Sequence, residues 1–181
     1  MLGDLWIGLP SPPFESVLKR NGITWDSAVR VGGLRWHGVR WLPGGRFSLD
    51  AEEPAALLVG CHDYHHDARW VVDDPAPFDL VAFHPVWPQQ FATLHGSAVM
   101  LGEANMHPAL ADGPVRVRRE PLAWVRAGGR GVVPLDLPAF ARQALGRAVV
   151  CDDVAHGKAI KAACDAEIKW TAPRISVAAV R

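Results

Sequence analysis

Five side chains that could carry acid–base or metal chemistry follow predicted strand ends in the last third of the sequence. They are Glu120, Asp136, Asp152, Asp153 and His156. If the strands are parallel, their carboxyl ends meet at one edge of the sheet, where α/β proteins bind ligands. Carboxylates held together repel one another unless a cation or raised pKa values relieve the repulsion. Mg²⁺ suits such a group, so Glu120, Asp152 and Asp153 are candidate metal ligands, with His156 assisting proton transfer.

The same acids also have a structural interpretation. An Asp directly before a helix commonly caps it by accepting hydrogen bonds from N–H groups of the first turn. Asp136 precedes one helical pattern, and Asp152 or Asp153 precedes another. In this alternative the acids hold the fold together, and no cofactor is bound.

A run of arginines is the candidate nucleic-acid contact. Between residues 116 and 130 the chain has five arginines, Arg116, Arg118, Arg119, Arg126 and Arg130, and a single acid. Guanidinium groups bind phosphate well, which favours a nucleic-acid interface. The alternative is a solvated edge, or salt bridges to the acidic N-terminal half. Because the formal net charge is zero, a general polyanion binder is not expected.

A cysteine and three histidines lie close together at Cys61, His62, His65 and His66. Thiolate and imidazole are good zinc ligands, but a structural zinc site takes four ligands in a suitable geometry. No second Cys/His pair stands at a usual spacing, so we do not expect zinc here.

The elements that must position the acids alternate between strand and helix from Val115 onwards. Strands are predicted at Val115–Arg118, Gly131–Leu135, Ala148–Cys151 and Arg174–Val180, and helices at Pro121–Ala127, Leu137–Leu145 and after His156-Gly157. Such alternation predicts a small, mostly parallel sheet with flanking helices. The central strand, Ala148–Cys151, is short and apolar, which indicates a buried strand.

The first part of the chain is predicted to be β-rich with one short helix, Pro13–Asn21. Its strands are Val39–Leu42 and Arg46–Leu49 as a hairpin, then Ala55–Gly60, Asp79–His84 and Phe91–Leu94. Trp36, Trp41, Trp70 and Trp87 lie among these strands. They could stack bases or simply fill a core. The fold class is therefore α/β, with a β-rich portion at 1–110 and an α/β portion at 111–181.

Composition sets the broad class. The chain has 181 residues, 49% of them hydrophobic and 21% charged, which is ordinary for a protein with a real core. Three cysteines and the absence of a basic, apolar leader predict a reduced, cytoplasmic setting. Because no apolar run approaches the roughly 20 residues that span a bilayer, no membrane partner is expected.

The stretch VRVRREPLAWVRAGGRGVVPLD, followed by VVCDDVAHGKAIKAAC, resembles a Toprim domain. This is the metal-binding α/β module of bacterial primases, topoisomerases and related phage and plasmid replication proteins. Glu120 matches the first acid of the family, Asp152 the first Asp of its Asp-x-Asp motif, and Gly157 the Gly that follows. Val154 stands where the family has its second Asp, and Pro121 where primases usually have Gly.

The resemblance implies a reduced or repurposed member, and three functions follow as hypotheses. The first is a divergent Toprim-like accessory protein that associates with nucleic acid or replication proteins and lacks catalysis of its own. The second is a Mg²⁺-dependent phosphoryl- or nucleotidyl-transfer enzyme. The third is a protein-interaction module without a ligand, in which the acids are helix caps.

Overall fold

Two short helices begin the part of the chain that the computed structural model describes, residues 12–62, 77–107 and 113–171. They are α1, Pro12–Arg20, and α2, Trp25–Arg30. The Thr24 hydroxyl caps α2 by accepting a hydrogen bond from the Ser27 N–H at 3.1 Å. The predicted helix Pro13–Asn21 is confirmed as α1 to within a residue. Helix α2 was not predicted, because six residues are too few to show a helical period.

Five strands close into a barrel. They are β1, Leu34–Leu42; β2, Arg46–Leu49; β3, Ala55–Cys61; β4, Asp79–Phe83; and β5, Phe91–Thr93. Around the barrel the order is β1-β2-β5-β4-β3, with β3 returning to β1. All neighbours are antiparallel except β2 and β5, which pair in parallel where Arg46 lies opposite Thr93.

The barrel strands β3 and β4 are buried on both faces, which explains why their sequences are apolar apart from Asp79 at the start of β4. One set of side chains, which includes Val39, Phe47 and Leu58, comes from all five strands and forms its own cluster. The alternate set, which includes Leu57 and Val59, packs against the helices in a second cluster. Because successive side chains of a strand point to opposite faces, one strand serves both cores.

Short strands and three helices make up the remainder. The strands are β6, Met100–Leu101; β7, Val115–Val117; β8, Val133–Pro134; and β9, Val149–Cys151. The helices are α3, Pro121–Arg126; α4, Leu137–Ala144; and α5, Val154–Thr171, and a 3₁₀ turn spans Glu103–Met106. Strand β6 pairs with β8 antiparallel, whereas β7 pairs with β9 in parallel and meets Val132 at a single parallel bridge.

The two predicted portions share one hydrophobic core. Phe14 and Leu18 of α1 belong to the same buried cluster as Leu122, Val125 and Val133 from beyond the predicted boundary. Strand β6 also lies before that boundary and pairs with β8 after it. The barrel and the C-terminal helices therefore position one another.

The mixed α/β class is confirmed, but the main sheet is a closed, mixed barrel rather than a parallel sheet with flanking helices. The prediction that Ala148–Cys151 is a buried strand is wrong. Val150 of β9 is 43% exposed, and among the described residues β9 pairs only with β7. His156 and Gly157 lie inside α5 rather than in a loop before it. The predicted strand Arg174–Val180 lies outside the described residues.

Among the helices described here, none is both long and apolar enough to cross a membrane.

Candidate functional site

The parallel pairing of β7 and β9 brings the two groups of predicted site residues to one edge of the sheet. Val117 lies opposite Cys151 at the end of both strands. Residues 118–120 therefore follow β7, and Asp152 and Asp153 follow β9, at the same side of the molecule. Helix α3 begins directly after the first group and helix α5 directly after the second.

Asp152 is held by the segment that follows β7. Its Oδ1 atom lies 3.1 Å from Nη1 of Arg118, and its Oδ2 atom accepts a hydrogen bond from the Arg119 N–H at 3.1 Å. The side chains of Arg118 and Asp152 are only 20% and 26% exposed, so this ion pair is partly shielded from water. These contacts hold together the segments that follow β7 and β9, beyond the last paired residues of the two strands.

Asp153 caps helix α5 and pairs with a second arginine. Its Oδ1 atom accepts from the His156 N–H at 2.8 Å and from Nη2 of Arg119 at 2.9 Å. The hydrogen bond from His156, and then the positive charge of Arg119, hold the pKa of Asp153 below its usual value. The capping interpretation of this acid is confirmed.

Asp136 has a separate structural role. Its Oδ1 atom accepts from the Ala139 N–H at 3.0 Å and caps α4, as the capping interpretation predicted. It lines a cavity of about 510 Å³ together with barrel residues such as Arg46 and Thr93.

Glu120 is half-buried at the start of α3, and its carboxylate caps no N–H group of that helix. Burial raises the pKa of its carboxyl group above the usual value. The nearby charges of Arg126 and Arg119 act in the opposite direction, and Asp152 adds to the rise. Glu120 is therefore a partly desolvated carboxylate whose charge is unfavourable to the folded state.

Replacing Glu120 with glutamine is expected to leave the free energy of unfolding at pH 7 unchanged or to increase it. A raised folded-state pKa means that ionisation of Glu120 disfavours folding, so stability is lost as the pH rises through that pKa. Urea denaturation at pH 7 and pH 4 measures the effect. Any gain should shrink at pH 4, and a clear loss of stability at pH 7 would contradict this account.

His156 lies in the first turns of α5 and is 8% exposed. Its Nδ1 atom is buried and has no hydrogen-bond partner in the structure. Burial, assisted by the positive charge of Arg119, lowers the pKa of the ring and keeps it neutral near pH 7. Val154, two residues earlier at the start of the same helix, is 75% exposed.

Arginines engage the acids at this edge. The carboxylates of Asp152 and Asp153 pair with Arg118 and Arg119, and the side chain of Val154 has no oxygen. Within residues 12–62, 77–107 and 113–171, no three His, Cys, Asp or Glu side chains are grouped so that they could hold a metal ion.

Only two of the four Cys and His residues at which zinc was considered but not expected lie in the described part of the chain, Cys61 and His62. Cys61 is buried at the end of β3, and burial raises the pKa of its thiol, which disfavours the thiolate that zinc needs. His62 follows it with a buried, unpartnered Nε2 atom. His65 and His66 lie outside the described residues.

The predicted arginine cluster divides into two groups. Arg118 and Arg119 pair with the acids, as the salt-bridge alternative proposed, although their partners lie in the C-terminal half. Arg116, Arg126 and Arg130 are exposed. Of these, Arg126 reaches the end of α1, where its Nε atom donates to the Asn21 carbonyl at 2.6 Å.

The tryptophans divide in a similar way. Trp36 and Trp41 pack against the hydrophobic clusters, as expected for core residues, and Trp70 lies outside the described part of the chain. Trp87 is 60% exposed and stacks on His84 with ring centroids 4.5 Å apart. Trp25 is 57% exposed on α2 and was missed, because that helix is too short to show a helical period.

In comparisons with known proteins, no family model, curated protein or solved structure matches this chain.

Proposed function

We propose that this chain is a divergent Toprim-like accessory protein that associates with nucleic acid or replication proteins and has no catalysis of its own. Its C-terminal part would be a reduced, mostly parallel sheet with flanking helices. The observation that carries the proposal is the pairing of Asp152 with Arg118 and of Asp153 with Arg119. The two acids nearest the Toprim metal motif serve as partners for arginines.

The arrangement around these acids supports the Toprim part of the proposal. A strand, β7, leads to Glu120 and then to a helix, and a parallel strand, β9, leads to Asp152. This is the order that the resemblance implies for the acids of the family. The acids thus lie at a common edge, as expected if the chain keeps the strand and helix order of a Toprim domain.

The environment of the acids supports the non-catalytic part. A divalent cation would have to displace two guanidinium groups, and Arg118 is only 20% exposed. It would then find two neighbouring carboxylates and no third acid at position 154. A hard cation bound through fewer oxygen ligands loses both charge compensation and coordination.

Titration of the protein with Mg²⁺ or Mn²⁺ in a calorimeter tests the proposal. We expect no detectable binding near physiological concentration by the unmodified chain. Val154→Asp is expected to increase metal affinity, because it adds an oxygen ligand where the Toprim motif has one and its side chain is already exposed. Val29→Asp is the matched control, since it adds the same charge at a 55% exposed valine on α2.

The enzyme hypothesis makes the opposite prediction. It is favoured by Glu120, a half-buried carboxyl with a raised pKa, which is a common property of catalytic acids. If the unmodified chain bound a metal ion tightly and Asp153→Asn abolished that binding, the enzyme hypothesis would replace our proposal.

A further inference from the structure

We infer that the face formed by the end of α1, helix α2 and the end of α3 binds single-stranded nucleic acid. We call it the α1–α3 face, and it comprises Lys19, Arg20, Trp25, Arg30, Arg126 and Arg130. The inference rests on the proposed function, because it names the surface through which the nucleic acid would be held. The surface does not include Arg118 and Arg119, which pair with Asp152 and Asp153.

A half-buried hydrogen bond between distant segments assembles this face. The Nε atom of Arg126 donates to the carbonyl oxygen of Asn21 at 2.6 Å, so the last turn of α3 lies against the end of α1. Lys19 and Arg20 form the basic last turn of α1, and both are exposed. The segments that carry these cations are about a hundred positions apart in the sequence, and they lie against each other in the fold.

Helix α2 adds a further cation on the other side of the same contact. The Cδ atom of Arg30 lies 3.5 Å from where a Cβ on Gly128 would be, so α2 ends beside the turn that follows α3. Arg30 pairs with Asp26 at 2.9 Å, but both side chains are more than 60% exposed, and such a pair is weak. Arg130 follows the turn. Its Nε atom donates a hydrogen bond to the Ala127 carbonyl, and its side chain is exposed.

The charge of this face is mainly positive although the chain as a whole is neutral, and its acids are Asp26 on α2 and Glu120, which lies near Arg126. Residues 19–30 hold three cations and the single acid Asp26, and residues 121–135 hold two arginines and no acid. Phosphodiester backbones are the complementary partner, since each neutralised phosphate releases a condensed counterion. Arginine adds planar donors that match phosphate oxygens.

The exposed ring of Trp25 favours single-stranded nucleic acid over a duplex as the ligand of this face. Its side chain is 57% exposed, and it begins α2 three residues after Gly22, beside which Arg126 lies. A cationic groove with an exposed aromatic ring is how proteins bind unpaired bases, because each base can stack on the ring while its phosphate meets a cation. Duplex DNA keeps its bases stacked on one another and cannot use such a ring.

Fluorescence anisotropy with a labelled oligothymidylate at two salt concentrations tests the inference. We expect Trp25→Ala to weaken binding about fivefold or more, since one stacked base is lost. Arg20→Gln should weaken binding and reduce the slope of log affinity against log salt by about 0.7, the value for one phosphate contact on a single strand. Arg20 is an exposed terminal-turn residue, so this variant should fold normally.

Matched controls exist for both changes. Trp87→Ala removes a tryptophan that is 60% exposed, on the loop between β4 and β5. Arg142→Gln removes an exposed arginine of α4, which pairs with Glu167. Both controls should bind the oligonucleotide like the unmodified chain.

The outcomes separate this inference from the proposed function. If the unmodified chain binds the oligonucleotide but Trp25→Ala and Arg20→Gln bind equally well, the inference is overturned and the proposed function stands. If the unmodified chain binds no oligonucleotide at either salt concentration, the nucleic-acid part of the proposed function fails with it. Binding to anionic phospholipid vesicles in place of the oligonucleotide would assign the face to a membrane surface and also overturn the inference.

Discussion

Replacing Asp79 with alanine is expected to lower the free energy of unfolding by roughly 4 kcal/mol. Asp79 begins β4 and is 1% exposed. Its carboxylate accepts hydrogen bonds from four backbone N–H groups and one hydroxyl: Leu80, His95, Ser97, Ala98 and the Ser97 side chain, at 2.8–3.1 Å. Alanine would leave these donors without their acceptor. The N–H groups of Leu80 and Ala98 are buried, and each orphaned buried donor is costly.

The pH dependence of Asp79→Asn checks the same account. Burial alone would raise the pKa of Asp79, but the backbone N–H groups outweigh it and bring the pKa below its usual value. The stability that the carboxylate contributes is therefore present above the unfolded-state pKa of about 3.9 and is lost as the pH falls through the lower folded-state pKa. At pH 7 the asparagine variant should have a lower free energy of unfolding than the unmodified chain. The difference in free energy between the two proteins should decrease only at acid pH.

Asp136→Ala is the matched control for the alanine substitution. Asp136 is exposed and its carboxylate makes one capping hydrogen bond, so its loss should cost about 1 kcal/mol. Urea denaturation of the two variants at pH 7 gives the comparison. An Asp79→Ala loss no larger than that of Asp136→Ala would show that the buried network does not carry the stability assigned to it.

The network around Asp79 also links the barrel to the candidate site. The segment that it holds, His95 to Ala98, leads directly into β6. Strand β6 pairs with β8, and the adjacent Val132 meets β7 at a parallel bridge. A change at Asp79 is therefore expected to reach the edge that carries the acids, through backbone pairing.

Local patterns in the sequence predicted most of the elements, because they depend on neighbouring residues. The hairpin of β1 and β2 follows from two apolar runs around Pro43-Gly44-Gly45, and the structure pairs Trp41 with Phe47 across it. The barrel could not be predicted in the same way. Its closure depends on β1 meeting β3 and on the single parallel contact of β2 with β5, and nothing within either strand specifies these partners.

The candidate site was predictable in its position but not in its chemistry. Alternating strands and helices place Glu120 and Asp152 at one edge, and the parallel pairing of β7 with β9 brings the two segments there. Whether Asp152 binds a metal ion or pairs with an arginine depends on Arg118, which lies 34 positions away in the sequence. Spacing cannot decide this, because guanidinium and Mg²⁺ satisfy the same carboxylate.

Gly38→Ala is expected to cost about 3 kcal/mol of stability or more, although the new side chain is a single methyl group. A Cβ at this position would overlap the carbonyl oxygen of Asp50 and lie 2.8 Å from that of Glu53. Both atoms are backbone, so they cannot rotate away. The Gly38 carbonyl also accepts the Asp50 N–H at 3.0 Å, which fixes the turn between β2 and β3 over β1.

Gly44→Ala separates this steric effect from a conformational one. Gly44 has a positive φ of 73°, but no atom lies within 4 Å of its Cβ position. Alanine there should therefore cost only the strain of the left-handed region, about 1 kcal/mol. Thermal and urea denaturation of both variants measure the difference. If Gly38→Ala were no less stable than Gly44→Ala, the turn over β1 would be free to move. The barrel would then be held by its strand pairing alone, without the close backbone contact at Gly38.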